Sequence, residues 1–479
     1  MESLLIWGIV AIVGAAIFIP YAVGFRRRNR LDTARRAEAV QLGSDRPVAQ
    51  YPLIDEGQCI GCGACVAACP EGDVLGIVDG RAVIVNGMRC IGHARCADAC
   101  PVGALQVGLG NVGEREDIPR LTADSETTVP GVYVAGELSG FALIRNAISQ
   151  GELVVMTVAR RLRAAGPTGV ELPAPGGPAD GARLRDLIIV GAGPAGLSAA
   201  LTARREKLSY LVLEQEQAGG TILQYPRKKV VLTQPVEIPL YGRLEREEYT
   251  KEELLGIWQE AREQFELHVR TGEKLEMITR RPDGLLAVRT QAGEWLARAV
   301  VLALGRRGTP RKLGAPGEDL EKVAYKLLDA ESYHGENLLV IGGGDSAVEA
   351  ALGLARQPGN TVTLAYRKEK LFRIKKRNAE KFAAALAAGG VRTLFSTEVV
   401  EILPDRVRLR RGEGELELPN DYVFVFAGGE PPYPLLQRMG IAFGGAAPRR
   451  GYAPAGPAQP AAPPGPGAAS DLPAASHGR

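Results

Sequence analysis

The chain is 479 residues long, carries 58 basic and 55 acidic side chains for a formal net charge of +3 at pH 7, and is 46% hydrophobic. Charge this evenly balanced excludes a general nucleic-acid-binding role, which needs a concentrated basic surface. The length allows about three domains.

The first predicted element is apolar. Residues 4–25, LLIWGIVAIVGAAIFIPYAVGF, contain no charge. At 1.5 Å rise per residue they cover a hydrocarbon core of about 30 Å, and Pro20 sits near one end, where a kink is tolerated. Arg26, Arg27, Arg28 and Arg30 follow at once, and Glu2 is the one charge before them. The positive-inside rule then sets the amino terminus outside and everything after residue 26 in the cytoplasm, as a single-pass inner-membrane protein. A cleaved signal peptide would have a basic leading region and a shorter apolar stretch. One helix builds no channel, so residues 1–30 read as a tether with a basic flank.

All seven cysteines lie between Cys59 and Cys100. Four spell Cys59-x2-Cys62-x2-Cys65-x3-Cys69-Pro70; the others are Cys90, Cys96 and Cys100-Pro101, with His93 where a fourth cysteine would complete the same pattern. Thiolates at this spacing wrap iron–sulfur cubes, and the cysteine before proline ligates the other cluster of a pair. Cluster one is therefore assigned to Cys59, Cys62, Cys65 and Cys100, and cluster two to Cys69, Cys90 and Cys96 with His93 in the open corner. Gly61, Gly63 and Ala64 remove bulk from the loop, so that three thiolates can converge. A zinc site or a disulfide framework is the competing reading, and disulfides are disfavoured in a cytosolic setting. Residues 52–108 resemble a bacterial two-cluster ferredoxin.

His93 departs from that family. Three readings stay open: it ligates iron, it hydrogen-bonds beside a three-iron cluster, or it fills space near a cubane with an open iron. Replacing thiolate by neutral imidazole removes negative charge and raises potential, so cluster two is expected to be the higher-potential centre.

A Pro/Gly-rich linker follows at 166–183. Beyond it, Asp186–Val190 is an apolar run of buried-strand type. It leads into Gly191-Ala-Gly193-Pro-Ala-Gly196, a helix to about Lys207, and a second apolar strand, Tyr210–Glu214. This is a GxGxxG in its strand–turn–helix setting, with Glu214 placed to accept ribose hydroxyls and the helix N-terminus to take a pyrophosphate. Thr250-x-x-Glu253 is a capping box opening a helix to about Phe265. Alternating segments near 284–303 predict strands, and Val300–Gly305 a buried strand ending in glycine. A second unit runs from the strand Leu338–Ile341 through Gly342-Gly-Gly344-Asp-Ser-Ala347, a helix to about Arg356, and the strand Thr361–Tyr366. It ends in Arg367-Lys368 rather than an acid, which suits a 2′-phosphate; Arg373 assists. NADPH is favoured over NADH, and if Arg367 and Lys368 form only a solvated turn, NADH would serve equally. Residues 445–479, rich in Pro, Ala and Gly without a period, read as a disordered tail.

Residues 184–444 resemble the pyridine-nucleotide flavoproteins of the thioredoxin reductase type, most nearly ferredoxin–NADP reductases and bacillithiol-disulfide reductases. The resemblance implies FAD at Gly191, Gly193, Gly196 and Glu214, NADPH at Gly342, Gly344, Ala347, Arg367 and Lys368, and a homodimer. Two departures matter. No cysteine follows Cys100, so a redox Cys-x-x-Cys in the NADPH domain is excluded. The segment that closes the FAD site in the family is missing after Gly429 and has its likeness upstream, in Thr128–Glu137 and Ala147–Gly151 with a helix to about Leu162. Gly136-Glu137 stands where the family has Gly-Asp. The flavoprotein is thus expected to be circularly permuted, which is plausible because domain ends are commonly close in space.

The expected architecture is α/β: two Rossmann-like three-layer dinucleotide-binding domains, a small α+β ferredoxin-like two-cluster domain, and one transmembrane helix. Residues 116–165 complete the FAD domain of 184–305, 306–425 form the NAD(P)H domain, and 426–444 return to the FAD domain. The expected activity is electron transfer between NAD(P)H, FAD, two 4Fe-4S clusters and a redox partner, in either direction, with no acid–base side chain compelled. The alternatives are a disulfide or low-molecular-weight thiol reductase, and a non-turnover redox sensor or electron-wiring subunit of a membrane complex.

Overall fold

The computed structural model describes residues 2–45, 47, 49–110, 115–166, 184–227, 229–306 and 308–444. Most of the expected linker and the whole of the expected tail lie outside these residues.

The first helix, Glu2–Leu42, runs for 41 residues, through Pro20 and on past the arginine cluster. It is therefore longer than the apolar stretch: no breaker lies between Arg26 and Leu42, and Gly43, at φ +68, follows the end. Its apolar part is long and apolar enough to cross a membrane, and none of the most apolar window is buried.

The cysteine-bearing domain is built as a repeat. Tyr51–Ile54 pairs antiparallel with Leu105–Gly108, and Leu75–Val78 with Arg81–Ile84. Two short helices, Ala64–Ala68 and Arg95–Asp98, pack together between them. Each starts from a left-handed residue, Gly63 at φ +78 and Ala94 at φ +69, so both cysteine loops make the same turn before the helix. Cys65, Val74, Leu75, Ala82, Cys96, Ala104 and Leu105 form the core.

The first dinucleotide unit is organised on a seven-stranded sheet. Its path is Val269–Thr271, Tyr210–Glu214, Leu184–Val190, Glu294–Leu302, Leu286–Thr290 and Leu275–Arg280. Leu184–Val190 is buried along its whole length, as expected of a central parallel strand. Val132–Val134 is the seventh strand, parallel to the end of Glu294–Leu302 through Val300, Val301 and Leu302. The expected separate strand at Val300–Gly305 is instead the end of one strand, Glu294–Leu302: the run from Trp295 on keeps one face buried without a turn residue to break it. Helices Ile144–Ala165 and Pro194–Arg205 cover one face, with Ile148, Val155, Leu197 and Leu201 fully buried against it. The helix Tyr433–Arg438 packs on the other face through Leu436.

The second unit carries a five-stranded parallel sheet: Val323–Ala324, Tyr422–Val425, Asn337–Ile341, Thr361–Tyr366 and Arg392–Phe395. Helices Asp345–Ala355 and Lys376–Ala387 pack on it, and the antiparallel sheet Thr397–Ile402, Arg406–Arg411 and Gly414–Pro419 covers the other side. The fold is thus mixed α/β with a dinucleotide-binding core, a cysteine-rich domain and one apolar N-terminal helix.

Candidate functional site

The glycines of the first motif answer close backbone approaches. A Cβ at Gly191 would lie 2.5 Å from the Ala303 carbonyl oxygen, and one at Gly196 1.8 Å from that of Gly191. Gly193 caps the helix Pro194–Arg205 with no side-chain hydrogen bond, so the first-turn N–H groups are open to an anion. Glu214 ends its strand buried, and its carboxylate accepts from the backbone N–H of Ala192 at 2.7 Å and of Glu216 at 3.0 Å. These two bonds fix the acid beside the turn, facing the cavity.

The 136–151 segment joins the same wall. Gly136, at φ +83, donates its N–H to Gln150 Oε1 at 2.8 Å, and Ser139 Oγ donates to the same oxygen at 3.0 Å. The helix opens at Ile144, one turn before the expected Ala147, from Leu143 held at φ +81. A left-handed leucine is strained. It stands at the cavity wall with Ala142, Ile144 and Ala147.

One cavity of about 1680 Å³ collects these groups. It is larger than the roughly 300–1,000 Å³ of a single-ligand site. Gly136, Glu137, Gly191, Gly193 and Glu214 line it from the first unit; Asp345, Glu349, Arg356, Lys375, Arg377 and Lys381 from the second; Pro70, Glu71 and Ile91 from the cysteine-rich domain. Arg367, Lys368 and Arg373 are exposed and lie outside this wall, as do Gly342, Gly344 and Ala347. The second glycine turn is nonetheless close-packed: a Cβ at Gly342 would be 2.6 Å from the Phe426 carbonyl oxygen.

The cysteines separate into two groups. Cys59, Cys62, Cys65 and Cys100 line one small cavity with Gly61, Gly63 and Ala82. Cys69, Cys90 and Cys96 are mutual electrostatic neighbours. None is in a disulfide. Among the described residues no trio of His, Cys, Asp or Glu converges as a single metal ion requires. Four thiols around one cavity fit a cluster better than an ion. Burial pushes the Cys90 thiol up to about 11, and burial with Cys90 and Cys69 nearby pushes Cys96 up to about 12. Thiols this costly to ionise in isolation are those a bound cation would relieve. Burial, with Arg95 and Lys375, holds His93 below its ordinary value. Its carbonyl accepts from Gln234 Nε2 at 2.9 Å.

Three glutamines join these parts. Gln50, 2% exposed, makes two bonds to Ala142: it donates to the carbonyl at 3.2 Å and accepts the N–H at 2.7 Å. Its own carbonyl accepts from Cys90 Sγ at 3.7 Å. Gln234 reaches the His93 loop and Gln150 shapes the Gly136 turn. A lone glutamine carries no sequence pattern, so nothing in the chain flags Gln50 or Gln234; Gln150 lies inside the segment Ala147–Gly151 that the sequence already marks.

With the glycine turns, the shared cavity and the thiol groups placed, the class is clear: a dinucleotide-dependent oxidoreductase joined to an iron–sulfur domain. The chain belongs to the pyridine nucleotide-disulphide oxidoreductase family, whose model matches residues 188–447, and a 4Fe-4S dicluster domain matches residues 51–101. It is 31% identical over 255 residues to a ferredoxin–NADP reductase of Ignicoccus hospitalis, covering 52% of this chain and 78% of that one. It is 29% identical to the bacilliredoxin reductase Bdr of Bacillus subtilis, covering 53% and 80%. Among solved structures it is similar to the bacillithiol disulfide reductase Bdr (YpdA) from Staphylococcus aureus, at 26% identity and a TM-score of 0.48, covering 54% and 80%.

Proposed function

We propose that this chain is a membrane-tethered, NADPH-preferring oxidoreductase that exchanges electrons between the nicotinamide cofactor and a redox partner. The observation that carries the reading is the shared cavity, whose walls come from both dinucleotide units and from the loop of Cys69 and Cys90. When bound, FAD would supply the exchange between hydride pairs and single electrons, and two clusters would carry single electrons. Gly191, Gly193, Gly196 and Glu214, with Gly136 and Glu137, would hold FAD. Gly342, Gly344, Ala347, Arg367, Lys368 and Arg373 would hold NADPH. Cys59, Cys62, Cys65 and Cys100 would hold one cluster, and Cys69, Cys90 and Cys96, with His93, the other. Gln50, on which Gly92 packs, would keep the Cys90 loop in register with the backbone at Ala142.

In the same reading residues 116–165 complete the FAD unit begun at 184. Support comes from Val132–Val134 lying in its sheet and from Ser198 Oγ donating to the Ile148 carbonyl at 2.7 Å. The apolar N-terminal helix supports the tether.

The test is an anaerobic titration with NADPH and, separately, NADH, following flavin bleaching optically and clusters by EPR. Bleaching followed by cluster signals, with NADPH preferred, is expected; bleaching with silent clusters at every added equivalent would refute the coupling. A relative named as a bacilliredoxin reductase favours thiol–disulfide reduction as a second reading. Among the described residues no cysteine lines the shared cavity, so NADPH-driven thiol release from a small disulfide would require that reduction to proceed without a protein dithiol there.

A further inference from the structure

The cysteine-rich domain lies lengthwise on the N-terminal helix, and the helix serves as a ruler. The Asp79–Gly80 turn is pinned to Asn29: the Asp79 N–H donates to Asn29 Oδ1 at 2.8 Å, and Asn29 Nδ2 donates to Asp79 Oδ1 at 3.4 Å. Asp32 accepts the Ile77 N–H at 2.9 Å. Gly61 packs on that turn so closely that a Cβ would lie 2.0 Å from the Gly80 carbonyl oxygen, and Arg81 Nη1 donates to the Cys59 carbonyl at 3.2 Å. The Cys59, Cys62, Cys65 and Cys100 group therefore sits at the level of Asn29. The other group is docked past the end of the helix, where the Met88 N–H donates to the Ser44 carbonyl at 3.0 Å and Gly87 abuts Asp45. From Asn29 to Leu42 the helix rises about 20 Å.

These two ends have different surroundings. Pro70, Glu71 and Ile91, beside Cys69 and Cys90, border the shared cavity. Asn29 stands only about 6 Å along the axis beyond Phe25, the last residue of the uncharged stretch, among Arg26, Arg27, Arg28 and Arg30. With residues 4–25 in the hydrocarbon, this level is that of the lipid headgroups. There Ile60 is 62% exposed and Val102 41%, and both line the same small cavity as the exposed Cys62.

We propose that the surface formed by Ile60, Cys62 and Val102 is the docking face for an integral-membrane redox protein, while the opposite end of the domain serves the flavin cavity. The proposal rests on the tether and cluster readings above. Two apolar side chains on an exposed rim suit the small contact of a transient electron-transfer pair, whereas a lipid-soluble ring would need a concave site. The membrane span adds lateral apolar contact through the exposed Trp7, Ile12, Ile17 and Phe18. Confinement to one bilayer raises the effective concentration of a weak partner.

The test uses the full chain with its iron, in phosphatidylethanolamine and phosphatidylglycerol vesicles carrying a nickel-chelating headgroup lipid. Surface Ni²⁺ is expected to raise the half-saturation power of the EPR signal lost in Cys62→Ser severalfold, and that of the other signal little. Equal relaxation of both, or stronger relaxation of the other, overturns the orientation. Separately, Ile60→Glu that keeps its iron and both signals is expected to slow NADPH oxidation coupled to washed membranes of the source cell about tenfold, the size of one good interface side chain. An unchanged rate overturns the docking face. Pure-lipid vesicles loaded with a long-chain quinone that match native membranes overturn the protein partner in favour of a lipid-soluble carrier. Iron below two clusters, or failure to float with vesicles, marks failure of the underlying readings, and the proposal falls with them.

Discussion

His93 stands where the repeat would place cysteine: Cys90-x2-His93-x2-Cys96 follows the spacing of Cys59-x2-Cys62-x2-Cys65. Gln234 holds its backbone, so the ring is presented by a fixed loop rather than a free one. If Cys69, Cys90 and Cys96 hold a cluster beside His93, the imidazole adds no negative charge to it, where a thiolate would. His93→Cys is therefore expected to lower the midpoint of the cluster held by Cys69, Cys90 and Cys96, read by EPR-monitored redox titration, and to leave the other midpoint in place. If neither midpoint moves, His93 has no hold on the potential. The second residue-scale prediction concerns the strand end at Arg367. Exposed as it is, this guanidinium gains little from intramolecular pairing and much from a 2′-phosphate. Losing one charge-assisted hydrogen bond costs about 1.5–3 kcal/mol, or about 10- to 100-fold in affinity. Arg367→Ala should raise the KM for NADPH by that factor and leave that for NADH nearly unchanged; equal changes with both would mean that Arg367 reads no 2′-phosphate.

Between elements, helices Ile144–Ala165 and Pro194–Arg205 meet closely behind the cavity wall. A Cβ at Gly151 would meet the Ala195 carbonyl oxygen at 2.2 Å, and backbone cannot step aside as a side chain can. Overpacking a core contact costs about 1–3 kcal/mol, and here it would also push Gly136 and Ala147 off the cavity. Gly151→Val is expected to lower the melting temperature and the FAD-to-protein ratio together. Gly256, in the helix Lys251–Gln264 with nothing within 4 Å of an added methyl, is the control. Gly256→Ala should gain about 0.5–1 kcal/mol and keep its FAD. These elements also show what the sequence can carry. The capping box at Thr250 and Glu253 and the strand Tyr210–Glu214 are found where local spacing predicts them, because a cap and a buried strand depend on residues a few positions apart. Gln50 and Ala142 are 92 positions apart, and Arg306 donates to Asp117 across 189. Such contacts leave no local pattern, so the joins between modules are illegible in the sequence although the modules themselves are not.

At the scale of the whole molecule, the order of the segments along the chain differs from their order in space. Residues 115–128 leave the cysteine-rich domain, and 118–120 run antiparallel to 442–444: the Arg120 N–H donates to the Ala442 carbonyl at 2.8 Å and the Gly444 N–H to the Ile118 carbonyl at 3.3 Å, while Thr128 Oγ1 donates to the Gly440 carbonyl at 3.0 Å. Arg306 joins the same corner, donating to Tyr433 Oη at 2.9 Å and to Asp117, whose carboxyl Arg115 and Arg306 hold below its usual range against the opposing effect of burial. Residues 444 and 116 thus stand at the open end of a two-stranded join, within reach of a short turn of the kind that closes hairpins. If residues 116–165 are the displaced end of the flavin unit, the displacement can be undone. A chain of 184–444, a short Gly/Asn turn and then 116–165 keeps every contact of Val132–Val134 with Glu294–Leu302 and of Gly151 with Ala195. It is expected to fold without the cysteine-rich domain and to bind FAD one to one, with bleaching by NADPH, since every named FAD and NADPH group lies within it. The same 184–444 chain lacking 116–165 should lose FAD, because Gly136, Glu137 and the helix Ile144–Ala165 go with that segment and leave Ala195, Leu197 and Ala199 uncovered. Flavin content by absorbance after gel filtration reads both. Stoichiometric FAD in the shortened chain would mean that 116–165 is a neighbour of the flavin unit and no part of it.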